Sequence, residues 1–317
     1  MKHRSSVAQL EITGRRAALA GLLLLGGLLT MPGVASAQQA HAASVEPDQP
    51  ADTLVPPTSA SDFTASQLDS VLAGSWRSQA DRARDVYRHP KATLQFFGVQ
   101  PDETVIEITP GGGWYSEILA PLLQDNGHYV AAVKSSPKVD SEDGRDDSAL
   151  HRKFAADPGH YGNARIVEFD AQAPVFGAPG SADMVLTFRN VHNWVMADTA
   201  PAMFKAFFAV LRPGGVLGVV DHRAADGASL AAIKRSGYLT TAEVVKLATD
   251  AGFTLDASSE INANPKDTRN YSKGVWTLPP TLTLGDKDRA KYQAIGESDR
   301  MTLRFIKPQL PASAGSR

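Results

Sequence analysis

The sequence predicts an α/β protein built on an open, mostly parallel sheet that helices cover on both faces. Five short apolar segments that fit β-strands alternate along the chain with helix-like segments, and two further strand-like segments follow near the carboxyl end. The chain has 317 residues, of which 43% are apolar, so it can bury a sizeable core. We therefore expect a Rossmann-like sheet of seven strands.

The amino terminus is typical of a bacterial export signal. Basic residues at positions 2–4, 15 and 16 precede an apolar run from Ala17 to Met31, and "GVASA" ends in small residues before Gln38. We expect residues 1–37 to be a cleaved signal peptide, and the protein to be periplasmic or secreted without stable membrane insertion afterwards. An uncleaved anchor is the alternative, although the apolar run is shorter than the roughly 20 residues of a span.

The segment after the signal predicts a linker and then a helical extension. Residues 38–64 are rich in Ala, Pro, Ser, Gln and Asp, which is typical of a disordered linker. From residue 65 the pattern becomes periodic, and two helices are predicted on either side of His89-Pro90. The domain is expected to cover residues 65–310, with a flexible tail at 311–317.

The strands and helices of the predicted sheet follow in order. The strand segments are "TVIEIT", "GHYVAAV", "ARIVEFD", "ADMVLTF", "GVLGVVD", "TLDASSEIN" and "RMTLRFIKP". The clearest helices are "GWYSEILAPLLQ", "TAPAMFKAFFAVL" and "TTAEVVKLATDAGF", the last opened by Thr240 or Thr241. "LRPGG" is predicted to reverse the chain before the fifth strand.

Polar and aromatic residues gather where the predicted strands end. In open parallel sheets, ligands bind at the carboxyl ends of the strands, near the point where the strand order reverses. The sequence therefore nominates a site at this edge. Its members are Thr109–Gly113, Asp170, Arg189–Trp194 and Asp221–Arg223.

The glycine loop after the first strand predicts close approach of a ligand to the backbone. Gly111, Gly112 and Gly113 carry no side chain, and the following helix turns amide donors toward the same place. A tight turn without a ligand is the alternative. The dinucleotide fingerprint is absent, because the glycines are contiguous and Lys134 stands where an acid would hold the ribose.

Three segments together resemble the class I S-adenosylmethionine-dependent methyltransferases. They are "VIEITPGGGWYSEIL", "FRNVHNW" and "LRPGGVLGVVDH". The chain is more narrowly similar to a group of exported bacterial proteins described as predicted methyltransferases, in which "RDVYRHP" precedes the glycine loop. The resemblance runs from about Ser75 to Pro308 and implies the Rossmann-like methyltransferase fold with S-adenosyl-L-methionine as cofactor.

The resemblance also implies particular cofactor-binding residues. Glu107, Gly111 and Gly113 match the acid and glycines of the first motif, while Thr109 stands in place of its first glycine. Asp170 matches the acid after the third strand that commonly meets the adenine amine. Implied positions complete the set: Gly112, and the Phe188-Arg189-Asn190 backbone lining the pocket. The ribose acid has no clear match, and Asp140, Glu142 and Asp143 are the nearest acids.

Two histidines and several aromatic residues are candidates for the chemistry. His192 and His222 follow the fourth and fifth strands, and a neutral imidazole can act as a general base. A hydrogen-bonded structural histidine is the alternative for each. Tyr115 and Trp194 (with Trp114) are candidates to wall an acceptor pocket or stack on adenine, or simply to pack in the core.

The arginine-rich segment at residues 76–91 and the possibility of a metal complete the candidates. The segment fits a solvated helix face, or a lid with Arg84 or Tyr87 reaching the ligand. Asp221 and His222 are adjacent, so on a strand they are expected to point to opposite faces, and no metal is predicted.

The sequence favours a small-molecule methyltransferase. A net charge of −2 gives no indication of nucleic-acid binding, and nothing indicates the oligomeric state. A catalytically inactive, methyltransferase-like ligand-binding module is the alternative, favoured by Thr109-Pro110 and by the missing ribose acid. A serine hydrolase would need G-x-S-x-G, which is absent.

Overall fold

The computed structural model describes residues 60–135 and 146–309. The predicted signal peptide, most of the predicted linker and the predicted tail lie outside these residues. So do Asp140, Glu142 and Asp143, the acids considered for the ribose. The domain boundaries at the two ends of the chain therefore stay predictions.

The sheet has the seven strands predicted from the sequence. They are β1 (Thr104–Ile108), β2 (His128–Lys134), β3 (Arg165–Phe169), β4 (Ala182–Phe188), β5 (Leu211–His222), β6 (Thr254–Ser259) and β7 (Arg300–Ile306). Their order is β3-β2-β1-β4-β5-β7-β6, and β7 runs antiparallel to both of its neighbours while the other pairs are parallel. The predicted Rossmann-like, mostly parallel sheet is confirmed.

The strand order fixes where a ligand site is expected. The chain builds outward from β1 to β2 and β3, and then returns to add β4 on the other side of β1. The order therefore reverses between β1 and β4, whose carboxyl ends lie side by side through the pair Ile108 and Thr187. A crevice forms at such a reversal because the two connections leave in opposite directions.

Helices cover both faces of the sheet. After β1 come α5 (Ser116–Leu123), α6 (Asp146–Ala156), α7 (Pro158–Tyr161), α8 (Val191–Met196), α9 (Ala200–Val210), α10 (Leu230–Ser236), α11 (Thr241–Asp250) and α12 (Arg289–Ile295). Thr240 caps α11 as predicted, its hydroxyl accepting a hydrogen bond from the Glu243 backbone amide at 3.2 Å. Among the described helices, none is long and apolar enough to cross a membrane.

The amino-terminal extension is more broken than the two predicted helices. It comprises α1 (Ala60–Leu72), α2 (Gln79–Arg82), α3 (Asp85–Arg88) and α4 (Pro90–Phe97), and α1 begins inside the predicted linker. The break at His89-Pro90 is confirmed, because His89 adopts a left-handed φ of 42° and Pro90 opens the next helix. The extra breaks keep the α2 and α3 segment close to the glycine loop, where Trp114 Nε1 donates to the Asp81 carbonyl at 3.0 Å.

The core lies in two layers, one on each face of the sheet. Alternate residues of a strand point to opposite faces, so Val105 packs with α1, α4 and α5 while Ile106 packs with α9 and α11. Leu68 of α1 and Leu94 of α4 are fully buried in the first layer. The extension is therefore part of the core of the domain.

The "LRPGG" segment differs from its prediction as a separate turn. Residues 211–215 belong to β5, and the register against β4 shifts between Ala182 and Met184. Gly214, at a φ of 80°, takes up the irregularity within the strand. The chain reverses at the end of α9 instead, where Leu211 is already extended.

Candidate functional site

The glycine loop that follows β1 is held in an unusual backbone conformation. Gly111 and Gly113 have φ angles of 59° and 82°, and Thr109 has a φ of 55°. A β-branched residue rarely adopts a positive φ, because its side chain crowds the backbone. Thr109 therefore takes the left-handed conformation that a glycine at that position would take.

A cavity of about 320 Å³ opens where β1 and β4 end. Its floor includes Pro110, Gly111 and Gly112, and its walls include Trp114, Tyr115, Phe188 and Arg189. Asp81, Arg84 and Arg88 of the extension and Pro280 of the β6–β7 connection line it as well. The volume falls in the range of about 300–1,000 Å³ that small-molecule sites occupy.

Glu107 lies at the base of this cavity. Its Oε2 accepts hydrogen bonds from the Tyr129 hydroxyl at 2.5 Å and the Ser116 hydroxyl at 3.4 Å. Burial raises the pKa of Glu107 to about 7, although the two hydroxyls lower it in part. The carboxyl group therefore changes its charge near neutral pH.

A second cavity, of about 190 Å³, lies beside the first at the ends of β2 and β3. Lys134, Phe169, Ala171, Gln172 and Trp194 line it. Thr109 and Asn190 line both cavities, so the two spaces meet at the ends of β1 and β4.

Asn190 fixes the geometry where the cavities meet. Its side-chain amide donates to the carbonyl oxygens of Ile108 at 2.9 Å and Thr109 at 3.2 Å, and its Nδ2 lies 3.3 Å from the Thr187 hydroxyl. These bonds tie the end of β4 to the end of β1. Arg189, the residue before it, has a φ of 65°, so both strand ends carry a non-glycine residue in the left-handed region.

The structure brings most of the predicted cofactor residues together and leaves two apart. Glu107, Thr109, Gly111, Gly112, Arg189 and Asn190 all line the first cavity. Asp170 is exposed, and its Oδ1 accepts from the Gln172 amide at 2.9 Å in a local turn, so Ala171 and Gln172 line the second cavity instead. Gly113 is buried under the loop, and a Cβ there would lie 2.9 Å from Leu150.

The predicted aromatic residues divide between the two cavities and a third place. The Tyr115 ring stacks on Phe188 with centroids 3.5 Å apart in the wall of the first cavity, whereas Trp194 lines the second. Tyr87 lies outside both, and its carbonyl accepts a hydrogen bond from Arg300. Of the two lid residues considered, Arg84 therefore reaches the cavity and Tyr87 does not.

His192 and His222 meet beneath the strand ends, as predicted. Their ring centroids lie 4.9 Å apart, and both side chains are buried. Asp221 Oδ1 lies 2.9 Å from His192 Nδ1, and because a carboxylate only accepts, the imidazole donates from Nδ1 and leaves Nε2 as the basic nitrogen. His222 Nδ1 lies 2.6 Å from the Ser298 hydroxyl. Neither ring lines the two cavities.

Asp221 and His222 are closer in space than their strand positions predict. One ligand atom from each of His192, Asp221 and His222 lies within 4.8 Å of the others. The two adjacent side chains therefore do not diverge as a regular strand would make them, and α8 adds His192 to the pair; the absence of a metal stays a prediction. Both Asp221 oxygens already accept hydrogen bonds, from His192 Nδ1 and the backbone amides of His192 and His222. This arrangement fits an orienting carboxylate.

Burial governs the charge state of His222. It lowers the pKa of His222 well below the usual value, and the charges of His192, Arg189, Arg300 and Arg88 lower it further. His222 is therefore neutral at pH 7 and lies within the field of the arginine residues at the first cavity.

Glu297, just before β7, is surrounded by arginine side chains. Its carboxylate oxygens lie 2.8 Å from Arg84 Nε, 3.2 Å from Arg88 Nε, 3.3 Å from an Arg300 Nη and 3.8 Å from an Arg189 Nη. Burial alone would raise the pKa of Glu297, but these positive charges outweigh it and lower the pKa to about 2. The carboxylate is therefore ionised at any physiological pH.

The sequence reasoning missed this group. Glu297, Ser298, Asp299 and Arg300 form a buried polar run directly before an apolar strand. Such a run is a signal that was available, because charged residues are rarely buried unless they are paired. Their partners could not be inferred, since Arg84 and Glu297 are 213 positions apart.

Comparisons with known proteins found similar solved structures but no matching family. Neither a family model nor a curated protein matches the sequence. Solved structures that resemble it include a SAM-dependent methyltransferase from Aquifex aeolicus, at 14% identity and a TM-score of 0.47, covering 77% of this chain and 98% of that one. The cyclase SpnF has 14% identity and a TM-score of 0.49 over 79% and 97% of the two chains.

A SAM-dependent methyltransferase from Methanosarcina mazei is a third example. It shares 15% identity at a TM-score of 0.46, over 68% of this chain and 97% of its own. At such identities and TM-scores the similarity carries no argument about this chain. The function therefore rests on the residues of this chain.

Proposed function

We propose that the protein transfers a methyl group from S-adenosyl-L-methionine to a small-molecule acceptor. One observation carries the proposal. A cavity floored by bare glycine backbone opens at the strand-order reversal between β1 and β4 and meets a second cavity at the ends of β2 and β3. An elongated ligand with a polar end and an aromatic end fits this pair of spaces.

The residues of the two cavities fit the cofactor. Nothing lies within 4 Å of a Cβ placed on Gly111 or Gly112, so the loop leaves open space toward the first cavity. Glu107 and the loop backbone would hold the polar end, with hydroxyl groups of the ligand donating to the Glu107 carboxylate. Trp194 and Phe169 would contact the aromatic end in the second cavity. Thr109-Pro110 favoured a catalytically inactive module in the sequence, but Thr109 adopts the left-handed conformation expected of the glycine it replaces, so that argument is weaker.

The chain's own contribution to such a reaction is chiefly positional. When bound, the cofactor supplies an electrophilic methyl group. The protein then has to hold the acceptor in line and keep water away, which contributes about 7–11 kcal/mol in well-oriented reactions. Tyr115 and Trp114, held by stacking on Phe188 and by contact with Arg88, give the cavity a rigid wall for that purpose.

Removal of a proton from the acceptor is assigned to the buried histidine pair. Asp221 orients His192 so that Nε2 is the basic nitrogen, and His222 is neutral at pH 7. A positioned base contributes about 10²–10⁴-fold where the acceptor must lose a proton. Neither ring lines the two cavities, so this role requires a path for the proton from the bound acceptor to the pair.

Export is part of the proposal and rests on the amino-terminal signal described above. A protein with residues 1–37 removed would meet its acceptor outside the cytoplasm, as a soluble small molecule rather than as nucleic acid. Amino-terminal sequencing of the exported protein should find Gln38 first.

Calorimetric titration with S-adenosylmethionine and S-adenosylhomocysteine tests the cofactor. We expect heat for both, and Gly112→Leu should abolish it, because Gly112 lines the first cavity and a Cβ there meets no protein atom within 4 Å, so the leucine would occupy space for the ligand. Gly159→Leu is the matched control, at an exposed glycine of α7 that lines neither cavity. Gly113→Val is unsuitable, since it would clash with Leu150 in the core.

The outcomes separate the two functions considered. Unaltered affinity in Gly112→Leu would show that the site is misplaced. No heat at millimolar concentrations of either ligand, with the wild-type protein folded, would contradict the cofactor. Binding of both ligands, with no transfer of labelled methyl groups to any acceptor in an extract of small molecules, would favour the ligand-binding module.

A further inference from the structure

The first cavity carries more positive charge than its surroundings neutralise. Four guanidinium groups share the single carboxylate of Glu297, and three of them, on Arg84, Arg88 and Arg189, also line the cavity. The other carboxylates at the cavity are Asp81 and Glu107. With both ionised, the cavity lining and the group around Glu297 together contain four arginine residues and three acids, and Glu107 is only half ionised near pH 7.

Two of these arginine residues each have a side-chain donor without an acceptor. Arg84 Nη2 and Arg189 Nε are buried and have no hydrogen-bond partner among the described residues. Leaving a buried donor unpaired costs about 1–3 kcal/mol, and more for a charged group. Burial, followed by the charge of Arg88, lowers the pKa of Arg189 to about 9, although the charge of Glu297 raises it in part.

The backbone conformation of Arg189 is also unfavourable. Its φ of 65° lies in the left-handed region, which a non-glycine residue occupies at a cost. Strained conformation, crowded like charges and an unpaired donor therefore coincide on one residue at the mouth of the candidate site. A ligand that supplies negative charge and acceptor oxygens would relieve the last two.

We propose that the methyl acceptor carries an anionic group, a carboxylate or a phosphate, that binds to Arg84 and Arg189. This inference rests on the proposed function, because it assigns the chemistry of the acceptor in that reaction. Arg88 and Arg300 also donate to Glu297, and Arg84 Nη2 and Arg189 Nε keep donors that no described protein atom accepts. Guanidinium groups suit this role because they offer paired donors to carboxylate and phosphate oxygens.

The carboxylate of the cofactor is the other source of the same chemistry. The net charge of S-adenosylmethionine is positive, so its binding alone would leave the excess of arginine uncompensated. This difference in charge favours the acceptor as the source of the anion.

Calorimetry with two probe anions tests the inference. Inorganic phosphate and benzoate are titrated into the purified protein already saturated with S-adenosylhomocysteine. We expect Arg189→Gln and Arg84→Gln each to weaken anion binding by about tenfold or more, the effect of one charge-assisted hydrogen bond. Arg82→Gln is the control, because it removes the same charge from an exposed position in α2.

Affinity for S-adenosylhomocysteine identifies the source of the anion. Unchanged affinity in both variants, with anion binding weakened, supports an acidic acceptor. Parallel loss of S-adenosylhomocysteine affinity, with benzoate competing against it, would overturn the inference in favour of the cofactor carboxylate. Absence of anion binding to the saturated wild-type protein would also overturn it while leaving the proposed function intact.

A second readout covers variants that fold poorly. Removing one charge from a crowded cluster relieves repulsion, so Arg189→Gln should melt at the same or a higher temperature than wild type without anion. Phosphate should raise the melting temperature of the wild-type protein and not that of the variant. Equal stabilisation of both would overturn the inference. If S-adenosylhomocysteine fails to bind the folded wild-type protein, the proposed function fails, and the acceptor assignment falls with it.

Discussion

At the residue scale, Glu107 couples the site to pH. Its pKa is raised from 4.5 to about 7 in the folded protein, so folding takes up a proton between these values. The stability due to the protonated group is complete below pH 4.5 and is lost as the pH rises through 7. Ionising the buried carboxyl therefore costs about 3 kcal/mol by pH 8, counted at 1.36 kcal/mol for each pKa unit.

The prediction concerns Glu107→Gln, which mimics the protonated form. Between pH 5 and pH 8 the free energy of unfolding of the wild-type protein should fall relative to the variant, by up to about 3 kcal/mol. Denaturant unfolding at several pH values measures this. Glu168→Gln, at an exposed position of β3, is the control and should follow the wild-type curve. Parallel curves for Glu107→Gln and wild type would exclude the raised pKa.

Thr109 carries a strain that substitution can measure. A left-handed conformation costs an L-residue about 1–2 kcal/mol, and glycine is free of that cost. Thr109→Gly should therefore unfold with a higher free energy than Thr109→Ala, by about 1 kcal/mol after the greater entropy of unfolded glycine is subtracted.

The reverse substitution lies two residues further along the loop. Gly111→Ala should lower the stability by about 1–2 kcal/mol, since its φ is 59° and no neighbour lies within 4 Å of the new Cβ to add a clash. S-adenosylhomocysteine should bind Thr109→Gly at least as tightly as wild type. If Thr109→Gly were less stable than Thr109→Ala, the strained conformation of Thr109 would be refuted.

At the scale of elements, Asn190 joins two strands whose ends form the site. Asn190→Ala leaves the buried carbonyl oxygens of Ile108 and Thr109 without this donor, which should lower the free energy of unfolding by about 1–3 kcal/mol. Asn190→Asp should be worse, because a carboxylate of the same shape would face two carbonyl oxygens. Affinity for S-adenosylhomocysteine should fall in both. Chemical denaturation and calorimetry measure the two effects, and an aspartate variant as stable as the alanine variant would refute the hydrogen bonds.

The helices and strands were predictable because the residues of each segment determine it. An apolar run such as Val216–Val220 of β5 fits a buried strand wherever it lies, and Thr240 caps α11 through a residue three positions away. The sequence predicted that the ends of the fourth and fifth strands would meet, but not the conformation of Thr109 or the direct contact between Asp221 and His192. Both depend on the packing of α8 and β4 against neighbouring strands, which a local pattern does not contain.

The arginine residues around Glu297 show most clearly that contacts between distant segments cannot be predicted from local patterns. Arg84 and Arg88 come from the extension, Arg189 from the end of β4, and Arg300 from β7. Each alone fits a solvated cation, the usual interpretation of an isolated arginine. Only the meeting of three distant elements forms the proposed anion site, so the sequence could nominate Arg84 as a lid residue but not its partners.

At the scale of the whole molecule, the extension and the sheet form one cooperative unit. Leu68 of α1 is fully buried in the core layer that also contains Val105 of β1 and Ile118 of α5. The same extension supplies Arg84 and Arg88 to the cavity. A lid that opened by detaching the extension would have to expose this layer, so a change in α1 should be felt throughout the domain.

Leu68→Ala tests that cooperativity. The cavity left in the core should lower the free energy of unfolding by about 2–5 kcal/mol. Far-ultraviolet circular dichroism, which follows all helices and strands, and tryptophan fluorescence, which follows side chains such as Trp114 and Trp194, should shift together in one transition. Val86→Ala is the control, because Val86 lies on α3 of the same extension with 68% of its surface exposed. Its transition should coincide with that of wild type. If Leu68→Ala instead produced an early transition confined to one probe, the extension would be an independent flap, and its arginine residues could leave the cavity without unfolding of the sheet.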